Sequence, residues 1–205
     1  MRYEKGRKDA SRRRIMEVAA ERFRRDGIAA SGLAGIMSDA GLTNGAFYPH
    51  FRSKAALVRD SVAGVLEDQS SRLQEALATG GLESFIAAYL SPEHRDGAGK
   101  GCAAAALLPE LARQPAATRR LCAERFLAAV RQIAAALPPQ TRDGERVALG
   151  VYATLIGALQ LARAVKGTDL SDRVLAAGAE AARAQVPSRR RRTEQLSVGW
   201  RRPVD

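Results

Sequence analysis

Aromatic residues are scarce in this chain, and the shortage narrows its fold class. Phe, Trp and Tyr make up 5% of the 205 residues, whereas apolar residues make up 46%, mostly as Ala, Leu and Val. Ala and Leu favour helices, while strands favour aromatic and β-branched residues. No stretch shows the sustained alternation of apolar and polar residues that marks a half-buried strand. We therefore expect an all-α protein of one or two modest domains.

Cysteine and histidine are also rare, and their placement speaks against a metal or catalytic site. Cys102 and Cys122 have neither a Cys-x-x-Cys spacing nor a matching histidine pair. His50 and His94 have no partners at useful spacing, and the sequence has no glycine-rich phosphate loop or nucleophile elbow. We expect no metal, no cofactor and no catalytic residue. An oxidant-sensing role for Cys102 stays open, although no basic residue directly beside it favours a reactive thiolate.

The sequence shows no long apolar run. Its first residues are charged and lack the apolar centre of a signal peptide. No window approaches the ~18 apolar residues of a membrane span. These shortages predict a soluble, cytoplasmic protein with free thiols and no membrane partner.

Positive charge is in excess, and it is concentrated at the two ends. Lys and Arg number 33 against 22 Asp and Glu, a formal net charge of +11. Residues 1–60 carry 13 against 7, residues 61–186 carry 14 against 13, and residues 187–205 carry six against two. A basic N-terminal third is typical of a module that binds a polyanion such as nucleic acid. The alternative is that the charge serves only to keep the protein soluble. The tail from residue 187 is predicted to be disordered, either adding phosphate contacts or simply solvated.

Helical periodicity and glycine stops divide the chain into about nine helices. A long helix after Ser53 should end at Gly80 and Gly81, and the segment "SPEHRDGAGKG" should be a mobile loop. The other predicted helices are two in residues 11–40, a short one through Phe47, and later ones at about 82–91, 102–113, 116–137, 143–166 and 170–185.

The first sixty residues contain the pattern of a helix-turn-helix. Gly41 permits a tight turn, Leu42 packs under it, and Thr43 suits the N-cap of the next helix. We call residues 43–51, "TNGAFYPHF", the reading segment. Within it, Phe47 and Phe51 are four residues apart and should face inward, because that spacing shares one helical face.

Residues 11–60 resemble the DNA-binding domain of the TetR family of transcriptional regulators. The resemblance implies a three-helix helix-turn-helix domain in residues 1–52, a bundle for effector binding and dimerisation in residues 53–186, and a basic tail in residues 187–205. The matching residues are Ala19, Phe23, Gly27, Ile36, Ala40, Gly41, Leu42, Thr43, Gly45, Phe47, Tyr48, His50, Phe51, Ser53, Lys54 and Leu57.

The resemblance also implies a set of DNA contacts. It places Thr43 and Tyr48 against phosphate, with a base as the alternative contact of Tyr48. Asn44 and Gly45 face the major groove, where Asn44 is the best candidate for a hydrogen bond to a base edge, and His50 and Lys54 contact the backbone. Two departures from the family pattern stand out. Ala55 and Ala56 replace the usual acidic residue, so that Ser53 caps its helix without reciprocal help. The second helix opens on Ala30-Ser31-Gly32, and we expect Ser31 to be a plain N-cap.

The remaining expectations concern the C-terminal part. An apolar effector pocket is expected from Leu66, Phe85, Tyr89, Cys102, Leu107, Phe126, Tyr152 and Ile156. Two small-residue helices should pair with a second copy, although a monomer core is the alternative. The expected interface residues are Gly157, Leu161, Val174, Ala177, Gly178 and Ala181.

These features together predict a regulator that binds double-stranded operator DNA as a homodimer, most simply a repressor released by a small hydrophobic effector. The alternative is a helical small-molecule-binding protein or enzyme with an incidental basic end.

Overall fold

The computed structural model describes residues 2–187, and helices account for all the regular structure in that part of the chain. The all-α prediction is therefore confirmed. The helices are α1 (Arg2–Asp26), α2 (Leu33–Asp39), α3 (Lys54–Tyr89), α4 (Pro92–Asp96), α5 (Ala103–Leu111), α6 (Ala116–Ala135), α7 (Gly144–Ala164) and α8 (Asp169–Ala184), with 3₁₀ turns at Asn44–Ala46 and Ala98–Lys100.

The first core lies where α1, α2, the reading segment and the start of α3 meet. Ile15, Phe23, Ile36, Phe47 and Leu57 are almost fully buried there. Side chains of α5 and α6, among them Leu107 and Cys122, complete the same cluster. The apolar packing thus continues across residue 52, and the division into domains at that point stays a prediction.

The long helix α3 contains a break at the predicted position. Gly81 has φ +68° and ψ −177°, so the backbone leaves the helical conformation there before it continues to Tyr89. Ser53 begins the helix, because its Oγ accepts a hydrogen bond from the Ala56 amide at 3.1 Å. The first turn of α3 carries no acidic residue, as expected from the sequence.

The segment that we expected to be a mobile loop is ordered, and that prediction is wrong. Ser91 caps α4 by accepting a hydrogen bond from the His94 amide, and Pro92 occupies the first turn. Arg163 of α7 donates to the backbone oxygens of His94 and Arg95 at 2.7 and 3.1 Å. These bonds fix the segment against α7.

The second core lies in the C-terminal bundle, where α6, α7 and α8 pack on the far half of α3. Val151, Leu155 and Leu159 of α7 are fully buried in it. Contrary to our expectation, α7 is long and apolar enough to cross a membrane by length and composition, a test that the core helix of a soluble protein also passes. Only 33% of its apolar window is buried inside this chain, so α7 combines a core face with an exposed apolar face.

Candidate DNA-reading surface and effector cavity

The turn of the helix-turn-helix has the expected geometry. Gly41 adopts φ +73°, a left-handed conformation that favours glycine. The Leu42 amide donates to the Met37 oxygen at 2.9 Å, and the Leu42 side chain packs on the N-terminal core. The entry to α2 differs from our expectation. Gly32 is the N-cap, while the buried Ser31 hydroxyl donates to the Gly27 oxygen at 2.7 Å.

The reading segment is shorter than the predicted helix. Its regular part is a single 3₁₀ turn, Asn44–Ala46, and Thr43 caps it without a side-chain hydrogen bond. The Phe51 amide donates to the Phe47 oxygen at 3.0 Å. Pro49 cannot donate a backbone hydrogen bond, which helps to explain why no regular helix continues past it.

Two phenylalanines anchor this segment from below. Phe47 and Phe51 are buried, and their rings stack with centroids 5.6 Å apart. The guanidinium of Arg12 lies 4.3 Å from the Phe51 ring centroid. Arg12 also donates to the His50 backbone oxygen at 2.5 Å and to Asp60 at 2.6 Å. Helix α1 and helix α3 therefore hold the C-terminal end of the segment in place.

The predicted DNA-contacting residues lie together on the outer side of this anchor. Thr43, Asn44 and Gly45 are exposed, and Tyr48 keeps 72% of its surface accessible. A Cβ added at Gly45 would meet no atom within 4 Å, so this surface is open to a close approach.

His50 and Lys54 are less accessible than the other predicted contacts. Both are half-buried. Burial, followed by the charges of Lys8 and Arg12, holds the pKa of His50 below its usual value. The imidazole therefore acts as a neutral hydrogen-bonding group at neutral pH. Lys54 lines a surface cleft between α3 and α5 that also includes Glu110.

A second candidate site is a cavity of about 280 Å³ in the C-terminal bundle, which we call the effector cavity after the predicted pocket. Six of the eight residues that we expected in a pocket line it, namely Leu66, Phe85, Tyr89, Cys102, Phe126 and Tyr152. Leu107 instead packs in the N-terminal core, and Ile156 is buried in the C-terminal core.

Several polar residues of the cavity were missed by the sequence reasoning. Gln69 and Ser70 lie on the same helical face as Leu66 and Leu73, and that spacing could have identified them. The rest of the lining that we did not predict is Arg72, Leu73, Ala76, Ala88, His94, Lys100, Gly101, Arg125 and Ala129.

His94 is a structural element of the cavity wall. Its Nδ1 lies 2.7 Å from the Tyr89 oxygen, and its Nε2 accepts a hydrogen bond from the Cys102 amide at 2.9 Å. This arrangement assigns the proton to Nδ1. Burial lowers the pKa of His94, although the bond to the Tyr89 oxygen opposes that shift. A neutral His94 thus joins the end of α3 to the start of α5.

The predicted interface residues divide between two faces. Leu161 is 53% exposed, and Gly157, Ala177 and Ala181 are exposed as well, whereas Val174 is half-buried. Gly178 departs from the expectation because it is buried. A Cβ built on it would lie 2.4 Å from the Cβ of Ala158, so this glycine permits the close packing of α8 on α7 within one chain.

These features define a helix-turn-helix protein with a separate ligand-sized cavity. Comparison with known proteins supports the helix-turn-helix assignment. Residues 15–60 match the family described as "Bacterial regulatory proteins, tetR family". Residues 15–60 therefore carry the helix-turn-helix of this family, as the sequence predicted. The matched family is one of regulatory proteins.

Curated relatives match over part of their length. The "HTH-type transcriptional repressor KstR2" of Rhodococcus jostii (strain RHA1) is 32% identical over 73 residues, which is 36% of each chain. Its namesake in Mycolicibacterium smegmatis is 34% identical over 93 residues, covering 42% of this chain and 45% of that protein. The match spans less than half the length of these relatives.

Solved structures share the fold at low sequence identity. A TetR-family regulator from Cytophaga hutchinsonii superposes with a TM-score of 0.71 at 21% identity, over 87% of this chain and 96% of that one. The reduced form of E. coli NemR gives 0.68 at 19% identity, over 82% and 95%. These likenesses establish the TetR-like fold.

Proposed function

We propose that this protein represses transcription by binding operator DNA as a homodimer and leaves the DNA when a small apolar effector enters the cavity. The observation that carries the DNA-binding part is the reading segment. Its polar face is exposed around Tyr48, while its two phenylalanines are held in the core. It belongs to the region that matches the tetR family.

The reading segment offers two kinds of DNA contact. Thr43, Tyr48 and His50 carry hydrogen-bond donors suited to phosphate oxygens, and Lys54 adds a positive charge. Asn44 is the side chain that could form a bidentate hydrogen bond with a base edge, and an adenine is the base that suits an asparagine. Most of the affinity should therefore be salt-dependent, with base discrimination concentrated at Asn44.

Dimerisation is proposed through the outer faces of α7 and α8. Leu149, Leu161 and Leu170 are large apolar side chains that remain about half exposed on these helices. Gly157 has open space around it and would allow a second helix to approach closely. A two-fold pair of chains would present two reading segments to successive major grooves.

Hydrogen bonds at the two ends of α5 connect the cavity to the turn before α2, and through them a change at the cavity could reach the reading surface. Gln69, which lines the cavity, donates to the Gly101 oxygen at 2.9 Å and accepts from the Ala103 amide at 3.2 Å. At the other end of α5, the carboxylate of Glu110 accepts from the amides of Ile28 and Ala29, each at 2.9 Å. We propose that an effector displaces α5 and with it the turn that precedes α2.

The experiment that tests DNA binding is a titration of fluorescently labelled DNA from upstream of the protein's own gene. We expect Tyr48→Phe and Lys54→Ala to weaken binding, and Lys54→Ala to reduce the slope of log affinity against log salt by about 1. Arg131→Gln, a change at an exposed position on α6, serves as the charge-matched control. If both variants bind like the wild type at low salt, the assignment of these contacts is wrong.

A further inference from the structure

The effector cavity carries charge of one sign. Arg72, Lys100 and Arg125 line it, and no Asp or Glu of the described residues does. Arg125 is ion-paired with Glu67. Within the described part of the chain, neither Arg72 nor Lys100 has a carboxylate oxygen within 4.0 Å. Both side chains are exposed, so solvent screens their charges, but no carboxylate neutralises them.

Two further guanidinium groups, which do not line the cavity, interact electrostatically with Cys102 of its lining. Arg24 donates from Nε to the Gly99 oxygen at 2.6 Å, and Arg163 donates to the backbone of α4. In each of them the Nη1 nitrogen is buried without a hydrogen-bond partner among the described residues. Burial lowers the pKa of both arginines, while Glu21 opposes this for Arg24 and Tyr89 opposes it for Arg163.

The hydroxyl of Tyr89 is the third unpartnered donor in this region. Tyr89 is only 7% exposed, and its Oη has no partner with hydrogen-bond geometry within the described part of the chain. Burial, followed by the neighbouring Cys102 thiol, raises the pKa of Tyr89, so that its hydroxyl stays protonated. Its ring packs edge-on against His94, at 4.7 Å between centroids. Both nitrogens of His94 are already engaged, whereas the Tyr89 hydroxyl is a donor of the lining that is free to meet a ligand. A buried hydroxyl gains most from a charged acceptor.

The remainder of the wall is apolar. Leu66, Leu73, Phe85 and Phe126 contribute side chains to it, together with Ala76, Ala88 and Ala129. A ligand of a dozen or so heavy atoms with a hydrocarbon body would bury most of its surface there. An amine would place a cation among arginines and a lysine, and an alcohol would leave the positive potential uncompensated.

We infer that the effector is an amphipathic organic acid, whose carboxylate accepts a hydrogen bond from Tyr89 in the field of Arg72 and Lys100 while its hydrocarbon body lies against the apolar wall. This inference rests on the proposed function. The proposed function requires a ligand in the cavity but does not specify the charge of that ligand. It names the chemical class of that ligand.

Calorimetric titration of the full chain without DNA tests the inference with three probes of equal length, namely decanoate, decan-1-ol and decylamine. We expect decanoate to bind, the alcohol to bind at least about tenfold more weakly, and the amine to give no measurable heat. Binding of the alcohol or the amine as tight as that of decanoate would overturn the inference. If none of the probes binds, the assignment of an organic acid to this cavity is also overturned.

Three variants locate the carboxylate. Tyr89→Phe keeps the ring and should weaken decanoate about three- to tenfold without changing the affinity for decan-1-ol. Arg72→Gln and Lys100→Gln should each weaken it about two- to fivefold at low salt. Arg131→Gln is the control and should have no effect. Unchanged decanoate affinity in all three cavity variants would contradict the inference. If the wild-type protein does not bind DNA, only the proposed function is contradicted.

Discussion

Removal of the Glu110 carboxylate should both destabilise the protein and weaken its DNA binding. The carboxylate accepts two backbone hydrogen bonds of 2.9 Å from the turn between α1 and α2. Hydrogen bonds to charged groups contribute about 1.5–3 kcal/mol each when buried. Glu110 is half-buried and Ala29 is exposed, so we expect about 2 kcal/mol for the pair.

A loss of this size should be measurable by thermal denaturation. For a chain of this length 1 kcal/mol corresponds to about 2–4 °C, so Glu110→Ala should lower the melting temperature by about 4–8 °C. Glu110→Gln should have a smaller effect because it keeps one acceptor oxygen. Since the freed turn precedes α2, the affinity for upstream DNA should also fall. Glu124→Ala, an exposed position on α6, is the matched control.

The reasoning is refuted if Glu110→Ala melts at the wild-type temperature. A second outcome distinguishes a role of Glu110 in stability from a role in coupling the effector cavity to the DNA-reading surface. If the variant melts early but still binds DNA and releases it at the wild-type effector concentration, Glu110 stabilises the fold and the proposed route through α5 is wrong.

Three other perturbations test separate parts of the structure. Gly81→Ala should destabilise by about 1–3 kcal/mol, because the backbone conformation there is accessible essentially to glycine alone; Gly6→Ala within α1 should not destabilise. Denaturation midpoints should fall as the pH drops from about 7 to about 5, since the lowered pKa of His94 means that the unfolded chain takes up protons first; an equal fall in His94→Gln would contradict this. Leu161→Arg should yield folded monomers in sedimentation experiments and lose cooperative DNA binding, whereas a stable dimer would show that α7 is not at the interface.

The sequence predicted those parts of the fold that depend on local chemistry. Helical periodicity located α5 to α8 within a few residues, and Gly41 and Gly81 were recognised as breaks because glycine tolerates positive φ. Helix α4 was missed although Ser91 followed by Pro92 is a start signal for a helix. The density of glycine and charge after Pro92 concealed that signal.

Contacts between distant residues could not be predicted in this way. The bond from Arg163 to the His94 oxygen and those from Glu110 to the turn after α1 join residues far apart in sequence. Leu107 was expected in the pocket because its helix is apolar, but the rotation of α5 turns this side chain to the N-terminal core. Periodicity shows which residues share a face, and it does not show which neighbour that face meets.

The basic tail predicted for residues 187–205 lies outside the described residues beyond position 187. Its proposed phosphate contacts therefore stay a prediction. Deletion of residues 189–205 should reduce the salt dependence of DNA binding if the tail contacts phosphate, and should leave it unchanged if the tail is only solvated.

Hydroxyl-radical footprinting of the protein on DNA from upstream of its own gene tests the central claim most directly. Binding by a dimer through two reading segments predicts two protected patches related by a two-fold axis and centred about one helical turn, or a multiple of it, apart. Both patches should disappear together in the Tyr48→Phe, Lys54→Ala double variant. Protection of a single patch would contradict the dimer, and uniform cleavage along the whole fragment would contradict DNA recognition at this site.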